Sequence, residues 1–119
     1  ERLDAEKASL IAVVGDLNDT PDSAPLAPLL AESGFKDISA HPKFSGDDKP
    51  GTYGRGAARD KIDYILLSPA LYERVTGGGV WRKGVWGPNK KPSWDVYPEM
   101  KMAFHAASDH ACLYADLDV

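Results

Sequence analysis

In VVGDLNDTPDS, residues 13–23, an apolar strand pattern leads directly into a polar segment. It continues an apolar run, SLIAVVGD over residues 9–16, and such a run predicts a strand that is covered on both faces. Asp16, Asn18 and Asp19 follow at the end of that strand. Side chains of this kind bond to their own backbone in turns, so the stretch alone leaves a simple turn and a polar site both open.

Length and charge set the limits of the molecule. The 119 residues, 43% of them hydrophobic, predict one domain over residues 1–119 with a modest core. A net charge of -4 argues against binding through a broad basic face. The single cysteine, Cys112, cannot form an internal disulfide, and no apolar run is long enough to predict a membrane span. The polar opening without Met predicts an interior segment of a longer protein, which leaves the localisation unknown.

Further elements follow from the apolar pattern. KIDYILLS over residues 61–68 and HACLYADL over residues 110–117 predict a second and a third strand. Residues 23–34 predict a helix that an internal proline shortens or kinks. Residues 41–59 predict a long loop, and residues 79–84 a short strand.

The acidic residues fall at the ends of these strands. Asp16 ends the first strand, Asp63 starts the second, and Asp109 and His110 start the third. They can meet at one edge only if the first strand runs opposite to the other two. The second and third strands would then run the same way, joined by a long crossover through residues 69–108.

Asp63 lies in an apolar strand, where a charge without a partner is costly. One candidate partner is a cation nearby in sequence, Lys61 or Arg59. The other is His110, because a carboxylate fixes the tautomer of a histidine and raises its proton affinity. For the second case we expect a contact of about 2.6 to 3.2 Å between the two side chains.

Three motifs in order, VVGDLND, KIDYILLS and ASDHACLYADL, resemble the carboxy-terminal half of the endonuclease/exonuclease/phosphatase superfamily, the deoxyribonuclease I-like group. The resemblance implies an α/β fold, an α+β sandwich, with a mixed sheet and helices on one face. Such a unit is similar to the second half of a four-layered sandwich. The chain would then be a single partial domain.

The resemblance also implies catalytic roles in metal-dependent phosphoester hydrolysis. Asp16 would orient and deprotonate the attacking water, and Asn18 would hydrogen-bond the scissile phosphate. Asp63 would hold His110, which would contact or protonate the phosphate oxygens.

The metal site implied by the resemblance is only partly represented. Asp109, with Asp16, would bind a divalent metal, usually Mg²⁺, with Mn²⁺ or Ca²⁺ as alternatives. Thr52 and Tyr53 of GTYG would border the substrate. The family pattern also has a metal-binding Glu in its amino-terminal half, which the segment before Ser9 does not supply. We therefore expect weak metal binding and little activity from this segment alone.

The substrate stays open among nucleic acid, phosphorylated small molecules and lipid headgroups. The tryptophans and cations of residues 81–94 either stack on bases and bind phosphates or simply pack the loop onto the core. A competing interpretation is a non-catalytic half-domain, or an interaction module that keeps the motif residues. The expected partners are the missing amino-terminal half or a second copy of the chain, bound through an uncovered apolar sheet face.

Overall fold

Six strands form two three-stranded sheets in the computed structural model, which describes residues 8–119. In chain order they are β1 (Ala12–Asp16), β2 (Lys36–Asp37), β3 (Phe44–Ser45), β4 (Asp63–Leu67), β5 (Val75–Trp81) and β6 (Cys112–Leu117). The first sheet has the order β1-β4-β2, and both of its pairs are antiparallel. The second has the order β3-β5-β6, with β3 parallel and β6 antiparallel to β5, so it is mixed. The α+β class is confirmed.

Helical structure is short. One α-helix, α1, spans Pro69–Tyr72. The 3-10 helices are Ala24–Leu26, Ile38–Ala40, Ala58–Asp60 and Ala103–His105, and Pro28–Glu32 forms a π-helix. The helix predicted over residues 23–34 is thus divided, because Pro25 is the second residue of the first part, Pro28 begins the second, and neither can donate a backbone hydrogen bond. Among the described residues, no helix has the length and apolar character needed to cross a membrane.

The core lies where the two sheets meet α1. Its buried members are Ile38, Leu67, Leu71 and Val75, with Phe44, Ile65, Tyr72, Ala115 and Leu117 packed around them. β4 is buried or half-buried along its whole length, so both of its faces are covered, as the sequence predicted. The prediction that β1 is covered on both faces is wrong. Val14 is 65% exposed, and within residues 8–119 β1 is an edge strand that pairs only with β4.

Strand directions decide where the acidic residues meet. β1 runs antiparallel to β4, with Asp16 opposite Asp63, which confirms the predicted opposition of the first two strands. β4 and β6 lie in different sheets, so the expected crossover within one sheet is wrong. Instead, a single bridge between Tyr53 and His110 brings the start of β6 to the loop before β4. The polar opening considered above lies largely outside the described residues.

Candidate active site

Asp63 and His110 form a hydrogen-bonded pair between the starts of β4 and β6. His110 Nδ1 lies 2.9 Å from Asp63 Oδ2, which confirms the predicted contact. The alternative partner, Lys61, pairs with Asp37 at 3.0 Å instead. Asp63 therefore holds the histidine and leaves its other ring nitrogen, Nε2, for a further partner.

The environment of His110 favours its protonated form. The hydrogen bond that His110 donates to Asp63 raises the pKa of His110 above its ordinary value, partial burial opposes this, and the charges of Asp63, Asp109 and Asp16 add to the increase. Donation from Nδ1 to an ionised Asp63 fixes the tautomer in which Nε2 is free when the ring is neutral. A ring held in this way can donate or accept a proton at Nε2.

Thr52 fixes the Asp63 carboxylate from the other side. Its hydroxyl donates to Asp63 Oδ2 over 2.5 Å and accepts the backbone N–H of Asp63 over 3.1 Å and that of Ile62 over 3.3 Å. Thr52 is only 1% exposed, so its hydroxyl is not presented to a substrate. We revise its expected role from substrate contact to positioning of the dyad. Sequence reasoning missed this role, although a hydroxyl in the loop just before an acidic strand start was a usable signal.

Asp16 joins the dyad from β1. Each of Asp16, Asp63 and His110 offers one ligand atom, and these atoms all lie within 4.8 Å of one another. Asp16 and Asp63 face each other directly across the β1–β4 pair. Like charges in that position destabilise a sheet, so the cluster favours a positive charge, either the imidazolium of His110 or a cation.

The loop after β1 is a tight turn as well as part of this cluster. Asn18 adopts a left-handed conformation, with φ 54°, and its backbone N–H donates to Asp16 Oδ1 over 2.8 Å. Tyr64 donates its hydroxyl to the carbonyl of Asp19 over 2.8 Å. Burial raises the pKa of Tyr64 to about 12, which keeps that donor protonated. The turn and the polar site, left open by the sequence, thus coincide at Asp16.

Tyr53 and Asp109 flank His110. The Tyr53 ring lies 5.0 Å from the His110 ring and Tyr53 is 42% exposed, so its side chain can reach a bound molecule. Asp109 is exposed and precedes His110, but it is not in the group of three ligand atoms found among residues 8–119. Its role as a metal ligand stays a prediction.

The cation and tryptophan cluster of residues 81–94 is mainly structural where the side chains are buried. Arg82 is 5% exposed and donates to Asp47 over 2.6 Å and to the carbonyls of Lys49 and Gly51. Trp94 donates to the carbonyl of Val85 over 2.8 Å. These contacts favour the loop-packing interpretation for Arg82 and Trp94.

The sequence that forms this site matches a known protein family. The sequence model of the Endonuclease/Exonuclease/phosphatase family matches residues 1–110. No curated protein and no solved structure matches the chain. The match includes the turn after β1, the start of β4 and His110.

Proposed function

We propose that this chain, which belongs to the endonuclease/exonuclease/phosphatase family, hydrolyses a phosphoester by means of an activated water. The observation that carries this proposal is the contact of 2.9 Å between His110 and Asp63, with Asp16 facing the pair from β1. Phosphoester hydrolysis needs an oriented water, a proton donor and positive charge near the phosphate oxygens. A carboxylate and a carboxylate-held histidine within one small cluster suit the first two requirements.

Each residue has a distinct part in this proposal. Asp16 orients and deprotonates the attacking water, because its carboxylate is exposed at the end of β1. His110 contacts the phosphate through Nε2 and, when protonated, supplies charge and a proton to its oxygens. Asn18 is exposed on the turn and donates its side-chain amide to the scissile phosphate.

A divalent metal fits this cluster in part. Carboxylate oxygens are the ligands that Mg²⁺ prefers, and Asp16 offers such oxygens beside the dyad. Asp63 Oδ2, in contrast, already accepts hydrogen bonds from Thr52 and His110. We propose that Asp16 and Asp109 hold the metal, which when bound would stabilise negative charge on the phosphate.

We also propose that this chain acts as the carboxy-terminal half of a family domain. The proposal rests on the resemblance of its three motifs to that half. Ligands from an amino-terminal half would complete the metal site, and the chain alone would hydrolyse esters poorly.

The test compares the chain alone with the chain joined to an amino-terminal half-domain of the family. Bis(p-nitrophenyl) phosphate and p-nitrophenyl phosphate are assayed with Mg²⁺ and with EDTA. We expect metal-dependent hydrolysis by the joined protein, lost in Asp16→Ala and kept in Asp22→Ala, an exposed control on the same loop. Failure of the joined protein to hydrolyse either ester would overturn the proposal and favour a non-catalytic module.

A further inference from the structure

A pocket of about 350 Å³ opens beside the dyad. It is lined by Tyr53, Gly54, Trp86, Gly87, Pro88, Ala103, Ala106, Ser108 and Asp109. Its volume falls in the range of small-molecule sites, and two aromatic side chains contribute to its wall. We call it the Tyr53–Trp86 pocket.

The pocket lies next to His110, which is not itself among its lining residues, through the bridge partner Tyr53 and the two residues before His110. Tyr53 pairs with His110 in the bridge between the two strand segments, and their rings are 5.0 Å apart. Ser108 and Asp109 directly precede His110, and Ser108 Oγ accepts the backbone N–H of His110 over 3.0 Å. A phosphoester bound at His110 therefore has its organic substituent within reach of this pocket.

The walls of the pocket are held by contacts that do not depend on a ligand. Trp86 donates its indole N–H to the carbonyl of Asn89 over 3.2 Å, which fixes the edge of the ring. Gly87 has φ +80°, and a Cβ there would lie 3.1 Å from the Trp94 ring and 3.5 Å from the carbonyl oxygen of Gly54. The segment carrying Trp86 thus packs closely on the segment carrying Tyr53, so the pocket is preformed.

Charge restricts what the pocket can hold. Asp109 is the one charged residue among the described residues that line it, and no Lys or Arg is among them. A second phosphate placed there would meet no cation, so the lining disfavours a polyphosphorylated group. Aromatic side chains instead favour a flat, uncharged ring, because any heterocyclic base can stack on them.

We propose that the Tyr53–Trp86 pocket binds the substituent of the phosphoester and selects a heterocyclic base, so that the substrate is a nucleotide unit. The substrate assignment rests on the proposed function, whereas the binding of a base does not require hydrolysis. The net charge of -4 favours recognition of one unit over a long contact along a nucleic acid chain.

The test is a titration followed by NMR at the indole N–H of Trp86, assigned by its loss in Trp86→Phe. The probes are thymidine 5′-monophosphate, inorganic phosphate and the dinucleotide pTpT. We expect thymidine monophosphate to shift this signal and to bind more tightly than phosphate. Base stacking predicts that Trp86→Ala weakens its binding by about fivefold or more.

Two control variants distinguish the loss of base stacking from a nonspecific effect on the fold. Trp86→Tyr keeps an aromatic face and should retain binding, and Trp81→Ala, an exposed tryptophan of β5 outside the pocket, should leave it unchanged. Equal binding of thymidine monophosphate and phosphate, or no effect of Trp86→Ala, would overturn the pocket assignment. A shift with pTpT but none with thymidine monophosphate would contradict recognition of a single nucleotide unit and overturn the proposal.

The outcomes for the pocket and for hydrolysis are distinguishable. Binding of thymidine monophosphate without any ester hydrolysis by the joined protein would support the pocket and overturn the proposed function. Equal rates of hydrolysis for a thymidine ester and a methyl ester with the same leaving group would support the proposed function and overturn the assignment of the pocket to a base.

Discussion

The Asp63 carboxylate receives two hydrogen bonds at one oxygen, from Thr52 over 2.5 Å and from His110 over 2.9 Å. The Thr52 hydroxyl also accepts the backbone N–H of Asp63, so both its donor and its acceptor functions are used inside the protein. Removing the oxygen alone would leave the Asp63 carboxylate with only the bond from His110 and would take the acceptor Thr52 Oγ1 from the backbone N–H groups of Asp63 and Ile62. Such a loss costs more than the bond itself contributes.

We predict that Thr52→Val lowers the free energy of unfolding by about 1 to 3 kcal/mol, the usual cost of an unpaired buried polar group. It should also weaken the downfield NMR signal of the His110 Nδ1–H, which reports on the bond to Asp63. Thr52→Ser keeps the hydroxyl and should retain the signal. An unchanged signal in Thr52→Val would show that Thr52 does not position the dyad.

Metal affinity depends on the same small set of oxygens. Mg²⁺ keeps several waters and needs further ligands to be held firmly. Asp16 is the one carboxylate of the ligand group whose oxygens do not bond to His110 or Thr52. We therefore predict weak Mg²⁺ binding by this chain, measured by isothermal titration, and micromolar affinity would contradict the need for additional ligands.

Among the elements, β4 and β6 were predicted from their apolar runs with nearly correct bounds. β4 is covered on both faces and β6 on alternate residues, and each pattern is visible in the sequence of the strand alone. The pattern also predicted the meeting of Asp63 and His110. It could not predict the division into two sheets, since the apolar run of a strand does not specify which distant strand it pairs with. The exposure of β1 was missed because an edge strand and a central strand can share the same apolar run.

The Asp63–His110 pair links these two sheets, which makes their association depend on pH. Because the pKa of His110 is raised above its ordinary value of 6.5, the contact stabilises the fold below that pH. The stabilisation is lost as the pH rises through the folded-state pKa. We predict that His110→Gln reduces the melting temperature more at pH 6 than at pH 9, measured in EDTA.

The matched control for this pH dependence is His105→Gln, which changes an exposed histidine. Because His105 accepts the backbone N–H of Lys101 at Nδ1 and does not donate there to a carboxylate, its loss of stability should not be larger at pH 6 than at pH 9. A loss of stability in His110→Gln that is the same at pH 6 and pH 9 would show that protonation of His110 does not strengthen the link between the sheets.

At the scale of the whole molecule, the first sheet has an open edge. Among the residues that the structure describes, β1 pairs only with β4, and Val14 at its centre is 65% exposed. An edge strand with exposed apolar side chains is a ready surface for pairing with another chain. In the proposed complete domain, the amino-terminal half would cover this surface.

We predict that the chain alone self-associates at micromolar concentration, as observed by sedimentation. Val14→Glu should favour the monomer, because a charge on β1 opposes pairing along its exposed face. Ala31→Glu adds the same charge at an exposed residue outside the sheets and should not affect association. A stable wild-type monomer would show that the exposed β1 surface does not drive association.

His110, held by Asp63, is the residue that we propose acts on the phosphoester. The most direct measurement is the turnover of bis(p-nitrophenyl) phosphate by the joined protein with Mg²⁺, comparing wild type, His110→Ala and the control His41→Ala. General acid-base catalysis typically contributes enough that His110→Ala should reduce turnover by about 100-fold or more, while the fold and the His41→Ala activity are kept. Equal turnover by wild type and a folded His110→Ala variant would contradict the claim.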